Sequence, residues 1–346
     1  MPLLAQVHQT LGYLIGRMHD QGLHSQAQAM LEALTEDVLK TSEIEGERLD
    51  AETVRSSIAR KLGVDIGALM LADRDIEGVV EMILDATNAH ATPLTAERLQ
   101  AWHAALFPTG RSGMSAIRAG AWRDDADGPM QVVSGPMHRR KVHYEAPPAQ
   151  RLDAEMLVFL AWYERPADLD PLLKAGLAHL WFVTLHPFDD GNGRIARAIA
   201  DMALARADRS QQRFYSLSAQ IQKERKDYYE LLEKTQKGNL DATEWLAWFL
   251  ACLLRALQDA DQVLSRVLLK ANFWRRWTGT PFNERQIKVL NQVLDRVDVK
   301  LTNKKWAAIG KCSPDTALRD INDLQARGVL QRTDAAGRNT SYSLNP

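Results

Sequence analysis

The chain has 346 residues, with 43 Lys and Arg against 44 Asp and Glu, a formal net charge of −1, and is 45% hydrophobic and 25% charged. That length predicts two or three domains with real cores, and the even charge excludes a binder of nucleic acid or membrane surface acting through the whole chain. Only Cys252 and Cys312 are present, far apart and without a ligand cluster, which excludes a disulfide scaffold or zinc module and fits a reducing cytoplasm.

From the N-terminus the pattern is almost wholly helical. Met1 to Met18 is periodic like an amphipathic helix and lacks a basic start and a cleavage site, and no uninterrupted apolar run in the chain reaches membrane-spanning length. A cytoplasmic protein with no membrane partner is therefore expected. Residues 1–92 form a helical N-terminal region. Within it, Glu36 to Glu47 reads as a helix ending near Gly46, with Thr41 and Glu45 one turn apart on the same face.

Gln131 to Pro148 carries two β-prone runs around Gly135-Pro136 and closes on prolines that forbid helix, so it reads as a hairpin. Val142, His143 and Tyr144 lie on its second arm. Its tip, His138-Arg139-Arg140-Lys141, is either simply solvated or selective for acidic targets.

Residues 186–197 carry the densest chemistry: His186-Pro187-Phe188-Asp189-Asp190-Gly191-Asn192-Gly193-Arg194-Ile195-Ala196-Arg197. The apolar residues from Leu172 to Leu185 predict a mostly buried helix that delivers His186 to a turn, where Pro187 stops it. Ile195, Ile199 and Met202 predict a second helix starting near Asn192 or Gly193. A helix N-terminus entered through glycines is an anion site, because its first N–H groups are unpaired and the backbone can approach a ligand closely. Arg194 and Arg197, at i and i+3, can reach the same polyphosphate. Asp190 suits Mg2+ that bridges phosphate oxygens. His186 is the group of the turn able to take a proton near neutral pH, and Phe188 would anchor the loop in the core.

Downstream, Phe214-Tyr215 and Tyr228-Tyr229 offer rings for holding a base, or for core packing. The helix of Trp245 to Leu250 closes a core running from about Pro93 to Ala256. A further helix and linker fill 257–282, ending at the Gly279-Thr280-Pro281 boundary. From Asn283 the layout changes. One helix runs through Ile287, Leu290 and Leu294, a short one over Asn303 to Gly310, and a third from the Ser313-Pro314 cap to Ala326. Val329 to Arg332 and Thr340 to Leu344 then form a two-stranded wing around an Asp334 to Asn339 tip. The segment 283–346 thus resembles a winged helix. It carries eleven Lys or Arg against seven Asp or Glu, which permits DNA contact, but Asp315, Asp320 and Asp323 on the third helix would repel phosphates, so protein contact or homodimer formation stands beside DNA binding.

The block at 186–197 resembles the Fic (Fido) family signature, with His186, Phe188, Asp190, Gly191, Asn192, Gly193, Arg194 and Arg197 filling its defining positions. The resemblance implies a mainly α fold: a Fic-type helical core at 93–256 with a β-hairpin flap, the helical N-terminal region, and the small α+β winged-helix domain. It implies transfer of AMP from ATP to a hydroxyl of a target protein or of the chain itself, with Mg2+ as cofactor. His186 would be the base, Asp190 the metal ligand, the backbone of Gly191, Asn192 and Gly193 a phosphate cradle, and Arg194 and Arg197 the hold on the distal phosphates. Tyr229, by its distance from the block, resembles the family's nucleotide-side tyrosine, with Tyr228 the alternative. The hairpin resembles the flap that docks the target's main chain through Val142, His143 and Tyr144. Thr41, Glu45 and Gly46 resemble the family's inhibitory-helix motif, in which the glutamate withholds the second arginine, here Arg197. A DNA-binding regulator using the core as a nucleotide sensor, and removal of AMP from a modified protein, are the other activities this pattern allows.

Overall fold

The computed structural model describes the chain except residues 1, 20–21, 67–69, 71, 127, 136–138, 167–168, 209, 211, 240, 295–300, 334–339 and 346. The hairpin tip at His138 and the wing tip at Asp334 to Asn339 lie outside the described residues. The fold is mainly helical, and the chain divides into two compact units, residues 1–260 and 261–346.

The first unit opens with α1 (Pro2–His19), α2 (Leu23–Ile44), α3 (Ala51–Leu62), α4 (Arg74–Asn88) and α5 (Ala96–Leu106). Two small antiparallel hairpins follow, β1 (Arg111–Ser112) with β2 (Ser115–Ala116), and β3 (Gln131–Ser134) with β4 (Lys141–Glu145). The second has Val132 opposite Tyr144 and Val133 opposite Val142, with a register shift between them. Then come α6 (Leu152–Glu164), α7 (Pro171–Leu185), α8 (Asn192–Asp208), α9 (Leu217–Lys223), α10 (Arg225–Gln236) and α11 (Thr243–Arg276), whose residues from Asp261 on belong to the second unit. The Trp245 helix and the helix that follows it are thus one continuous element: the stretch around Ala256 keeps its apolar period, with Cys252, Leu253, Ala256 and Leu257 all buried, and contains no breaker.

Helix α8 is the axis of this unit. It is rich in alanine, with Ala196, Ala198, Ala200, Ala203 and Ala205 buried beside Ile195, Ile199 and Met202. Small side chains on several faces let α7, α4, α2 and α5 pack against it. Asp170 caps the start of α7 by accepting from the Leu172 N–H at 2.9 Å, with Pro171 in its first turn. At the other end His186 adopts φ 49°, ψ 57°, the left-handed conformation that ends the helix and turns the chain toward α8. Asp37 of α2 accepts from Ser216 Oγ at 2.5 Å and from the Ser218 N–H at 3.2 Å, tying α2 to the start of α9.

The second unit contains α12 (Glu284–Leu294), β5 (Leu301–Thr302), α13 (Asn303–Gly310), α14 (Pro314–Ala326), β6 (Leu330–Arg332) and β7 (Ser341–Leu344), with sheet order β5-β7-β6. Its core is built on Phe273, Leu290, Trp306, Ile321, Leu324 and Leu330. Strand β5 makes the sheet three-stranded where the sequence suggested two; two residues are too short for a periodic signal. The acidic residues of α14 also require correction. Asp320 is buried and turned inward, accepting from Arg285 Nε at 2.6 Å and Trp306 Nε1 at 3.1 Å, and Asp323 accepts from Gln286 Nε2 at 2.8 Å and pairs with Arg327 at 2.7 Å. Asp320 and Asp323 are thus paired within the unit, whereas Asp315, in the first turn of α14, is exposed as the sequence suggested.

Candidate active site

The α7–α8 junction is closed by its own side chains before any ligand is considered. Asn192 accepts from the Phe188 N–H at 3.0 Å through Oδ1 and donates Nδ2 to the Phe188 carbonyl at 2.8 Å. Its side chain is therefore consumed in shaping the loop, which leaves its backbone, the part expected in the phosphate cradle, as what it can offer a ligand. Phe188 is fully buried and stacks on His103 at 4.1 Å. Gly191 has φ 77°, and a methyl there would stand 2.9 Å from Phe107 Cε2, so both conformation and space require glycine.

Arg123, which no sequence signal singled out, holds the entry to the junction. It is buried, donates Nε to the His186 carbonyl at 2.8 Å and Nη2 to the Pro147 carbonyl at 2.5 Å, and pairs through Nη1 with Asp125 at 2.8 Å. Its own N–H donates to the Pro187 carbonyl at 2.9 Å. The His186 turn is thus locked to the base of the β3–β4 hairpin. The His186 ring donates Nδ1–H to the Val183 carbonyl at 3.3 Å, an assignment that follows because a carbonyl can only accept. Nε2 is left as the basic nitrogen. Although part of the residue is open to solvent, its dense surroundings push the pKa down to about 4, so the ring is neutral at physiological pH.

Asp190 takes the Gly191 N–H on Oδ1 at 2.6 Å and the Ser112 hydroxyl on Oδ2. Ser112 comes from the β1–β2 hairpin, a second contributor that sequence reasoning missed. Among the described residues no group of three or more His, Cys, Asp or Glu side chains could hold a metal by itself. A single aspartate suits Mg2+ whose remaining ligands are phosphate oxygens and water.

Both arginines of the block are buried, and each is held by a carboxylate from the end of α2. Arg197 donates Nη2 to Glu45 Oε1 at 2.7 Å, Nε to Thr41 Oγ1 at 2.7 Å and Nη2 to the Thr41 carbonyl at 2.9 Å, leaving Nη1 without a partner. Arg194 donates Nη1 to Glu47 Oε2 at 2.8 Å, lies over the Phe107 ring at 5.0 Å, and leaves Nε without a partner. A Cβ on Gly193 would fall inside the contact distance of Glu45 Oε1, so the Glu45 carboxylate rests on the first turn of α8. The carboxylate thereby places a negative charge beside the N-terminal end of α8, where the helix dipole favours one.

Of the two tyrosines, Tyr228 is core: its OH meets His179 Nε2 at 2.9 Å and its ring packs on Trp245 and Trp248. Tyr229 keeps an open ring, 38% exposed, with its OH 3.4 Å from the Ile44 carbonyl and Arg225 over its face at 5.1 Å. On the hairpin, Val142 is exposed, whereas His143 is held by Glu233 at 2.5 Å and Ser134 at 2.6 Å, and Tyr144 turns inward to donate to the Thr184 carbonyl at 3.0 Å. The last two side chains anchor the hairpin to α10 and α7 and leave the strand's main chain as its outward feature.

Residues 93–204 match the model of the Fic/DOC family, and residues 1–64 match a domain of unknown function, DUF4172. A 97-residue stretch is 37% identical to the Protein adenylyltransferase Fic of Nematostella vectensis, covering 27% of this chain and about a fifth (21%) of that protein's length. The fold resembles that of a Fic family protein from Desulfovibrio desulfuricans, with TM-score 0.56 and 20% identity over all of this chain and 96% of that one. It also resembles a Fic domain containing signaling protein from Bacteroides thetaiotaomicron, with TM-score 0.56 and 19% identity over 75% of this chain and 97% of that one. Among the described residues no helix is long and apolar enough to cross a membrane.

Proposed function

For a chain that carries a Fic/DOC-family domain at residues 93–204, we propose protein adenylyltransferase activity, held in check by Glu45. A target hydroxyl attacks the α-phosphorus of ATP, the bond from that phosphorus to the oxygen bridging the β-phosphate breaks, and diphosphate leaves. His186 Nε2 takes the hydroxyl proton; the Val183 carbonyl fixes its tautomer and Arg123 its position. The α8 N-terminus receives phosphate oxygens, and Arg194 and Arg197 hold the distal phosphates. Asp190, oriented by Ser112 and the Gly191 N–H, would hold Mg2+. That ion, when bound, neutralises charge that develops on the phosphates. Tyr229 would line the adenine side, and the outer main chain of β4 at Val142, His143 and Tyr144 would dock the target.

The observation that carries the reading is a histidine held by the Val183 carbonyl just ahead of a helix start whose two arginines are each paired with a carboxylate. While Glu45 holds Arg197, ATP lacks one distal-phosphate contact and is poorly placed for attack. ATP labelled at the α-phosphate tests the chemistry. In a Glu45→Gly background the α label should enter protein and a γ label should not, and His186→Ala should lower incorporation about a hundredfold or more. Incorporation of the γ label, or equal incorporation without the histidine, would contradict the proposal. For the second unit, the order helix, strand, helix, helix and two strands supports a winged helix, and with Asp320 and Asp323 paired within the unit, exposed Lys304, Lys305, Lys311 and Arg319 outweigh the exposed Asp315 and favour DNA over the self-association also considered.

A further inference from the structure

The end of α2 presents two glutamates, and Gly46 sets their spacing. Gly46 adopts φ 88°. Its N–H donates to the Glu43 carbonyl at 3.0 Å, and the Glu47 N–H reaches back to the Ser42 carbonyl at 3.0 Å, the bond pattern of a Schellman helix end. That turn fixes the backbone on both sides of the glycine. Glu45, at the cap, lies against Arg197; Glu47, two residues on, lies against Arg194. The two pairs share no atom.

We infer that Glu47 is a second gate on the nucleotide site, separate from Glu45, which makes the resting protein selective against di- and triphosphates while leaving monophosphate binding untouched. The inference rests on the adenylyltransferase reading for the direction in which the nucleotide lies, with its distal phosphates toward Arg194. Arg194 is almost wholly buried, packed over Phe107, and its Nε lacks a partner, so its guanidinium has little freedom to serve Glu47 and a phosphate together. Glu47 is itself poorly settled. Partial burial disfavours its charge first, Arg194 opposes that, and Asp190, Glu45 and Asp75 add repulsion. A phosphate arriving at Arg194 adds further negative charge beside Glu47 and competes for its hydrogen bond. With 47% of its side chain exposed, Glu47 can swing into solvent, whereas Arg194 cannot follow. A nucleoside monophosphate, which has no β- or γ-phosphate, does not reach Arg194 and gains nothing when Glu47 leaves.

The test is calorimetric titration of AMP, ADP and ATP, each with magnesium, into wild type, Glu47→Ala, Glu47→Gln, Glu45→Gly and the Glu45→Gly, Glu47→Ala double variant. The Glu47 end of the pair is half exposed and screened by solvent, so its loss should tighten ADP and ATP by about threefold to fivefold and AMP by less than about twofold, in both Glu45 backgrounds. Glu47→Gln, which keeps the shape and loses the charge, should move in the same direction, and thermal melting confirms that each variant is folded. Equal tightening of all three nucleotides, or no change for ADP and ATP, overturns the gate. These titrations read binding alone. A chain that transfers no AMP would refute the adenylyltransferase proposal and still give a clear answer on Glu47.

Discussion

Gly193 sits in the first turn of α8 with its Cβ position taken. A methyl group there would stand inside the contact distance of Glu45 Oε1, 3.1 Å from Glu45 Cδ and 3.2 Å from Arg197 Nη1. Helix propensity favours alanine over glycine, by up to about 1 kcal/mol and less in a first turn. Against this stands displacement of the Glu45 carboxylate from a buried guanidinium that already has an unpartnered Nη1. Breaking a buried pair typically costs about 3–5 kcal/mol, and because Glu45 keeps part of its side chain in solvent and can shift without leaving entirely, about 2 kcal/mol is the fitting figure here. Gly193→Ala should therefore destabilise the wild type by about 1–2 kcal/mol. In a Glu45→Gly background the clash with the carboxylate is gone and only the approach to Arg197 Nη1, the end of a side chain released from its partner, is left, so the same substitution should be close to neutral. Urea unfolding of the four proteins closes a double-mutant cycle whose coupling energy should be about 2 kcal/mol. Equal effects of Gly193→Ala in the two backgrounds, within about 0.5 kcal/mol, would refute the placement of the Glu45 carboxylate on the start of α8.

Other consequences follow from the same geometry. Arg123→Ala removes three side-chain bonds that converge on the His186 turn, Asp125 and Pro147, and should cost about 3 kcal/mol or more by urea unfolding; a loss under about 1 kcal/mol would contradict its role as the lock of that turn. The pH profile of AMP transfer by Glu45→Gly should stay level from pH 8 to about 5 and fall toward about 4, because burial depresses the His186 pKa to about 4 and only the neutral ring accepts a proton. A fall centred near 6.5 would show a solvated ring. The sign for stability agrees: the unfolded chain takes up the proton first, so the contribution of His186 is fully present above about pH 6.5 and is lost as pH falls toward 4. Gly46→Ala forces a side chain into left-handed backbone at about 1–2 kcal/mol, and by loosening both glutamates it should raise ATP affinity; unchanged affinity in titrations would count against the Schellman turn as the device that aims them.

The 186–197 block was legible because each of its jobs is local. A helix stop, a glycine turn, a helix start and two arginines one turn apart are all written within twelve consecutive residues. The Thr41–Glu45 spacing, likewise within one turn, put both side chains on one face; Glu45 meets Arg197 as the motif implied, and Thr41, for which no partner was read, meets it too. The cap of α14 was readable for the same reason, with Ser313 accepting from the Thr316 N–H. What escaped was set by distant partners. Arg123 acts on carbonyls at 186 and 147, and backbone carbonyls leave no trace in a sequence. Ser112 meets Asp190 across 78 positions from a hairpin too short to show alternation. Glu47 lay in plain view beside Gly46, yet its role depends on a turn that carries the chain back toward α8. Asp320 read as part of a repulsive surface with Asp315 and Asp323 because charge alone does not tell which residue of a helix turns inward; Asp315 stayed outside.

The central claim is that the chain is an adenylyltransferase silenced by the hold of Glu45 on Arg197. Intact-mass spectrometry after incubation with ATP and magnesium, alone and with cell lysate followed by peptide analysis, tests it most directly. Wild type, Glu45→Gly, Glu45→Gly with Arg197→Ala, and Glu45→Gly with His186→Ala should be compared side by side. The account predicts that Glu45→Gly alone adds AMP to itself or to lysate proteins, while wild type adds little and both double variants add none. AMP transfer by Glu45→Gly no greater than that of wild type, or undiminished transfer once Arg197 is lost, would contradict it.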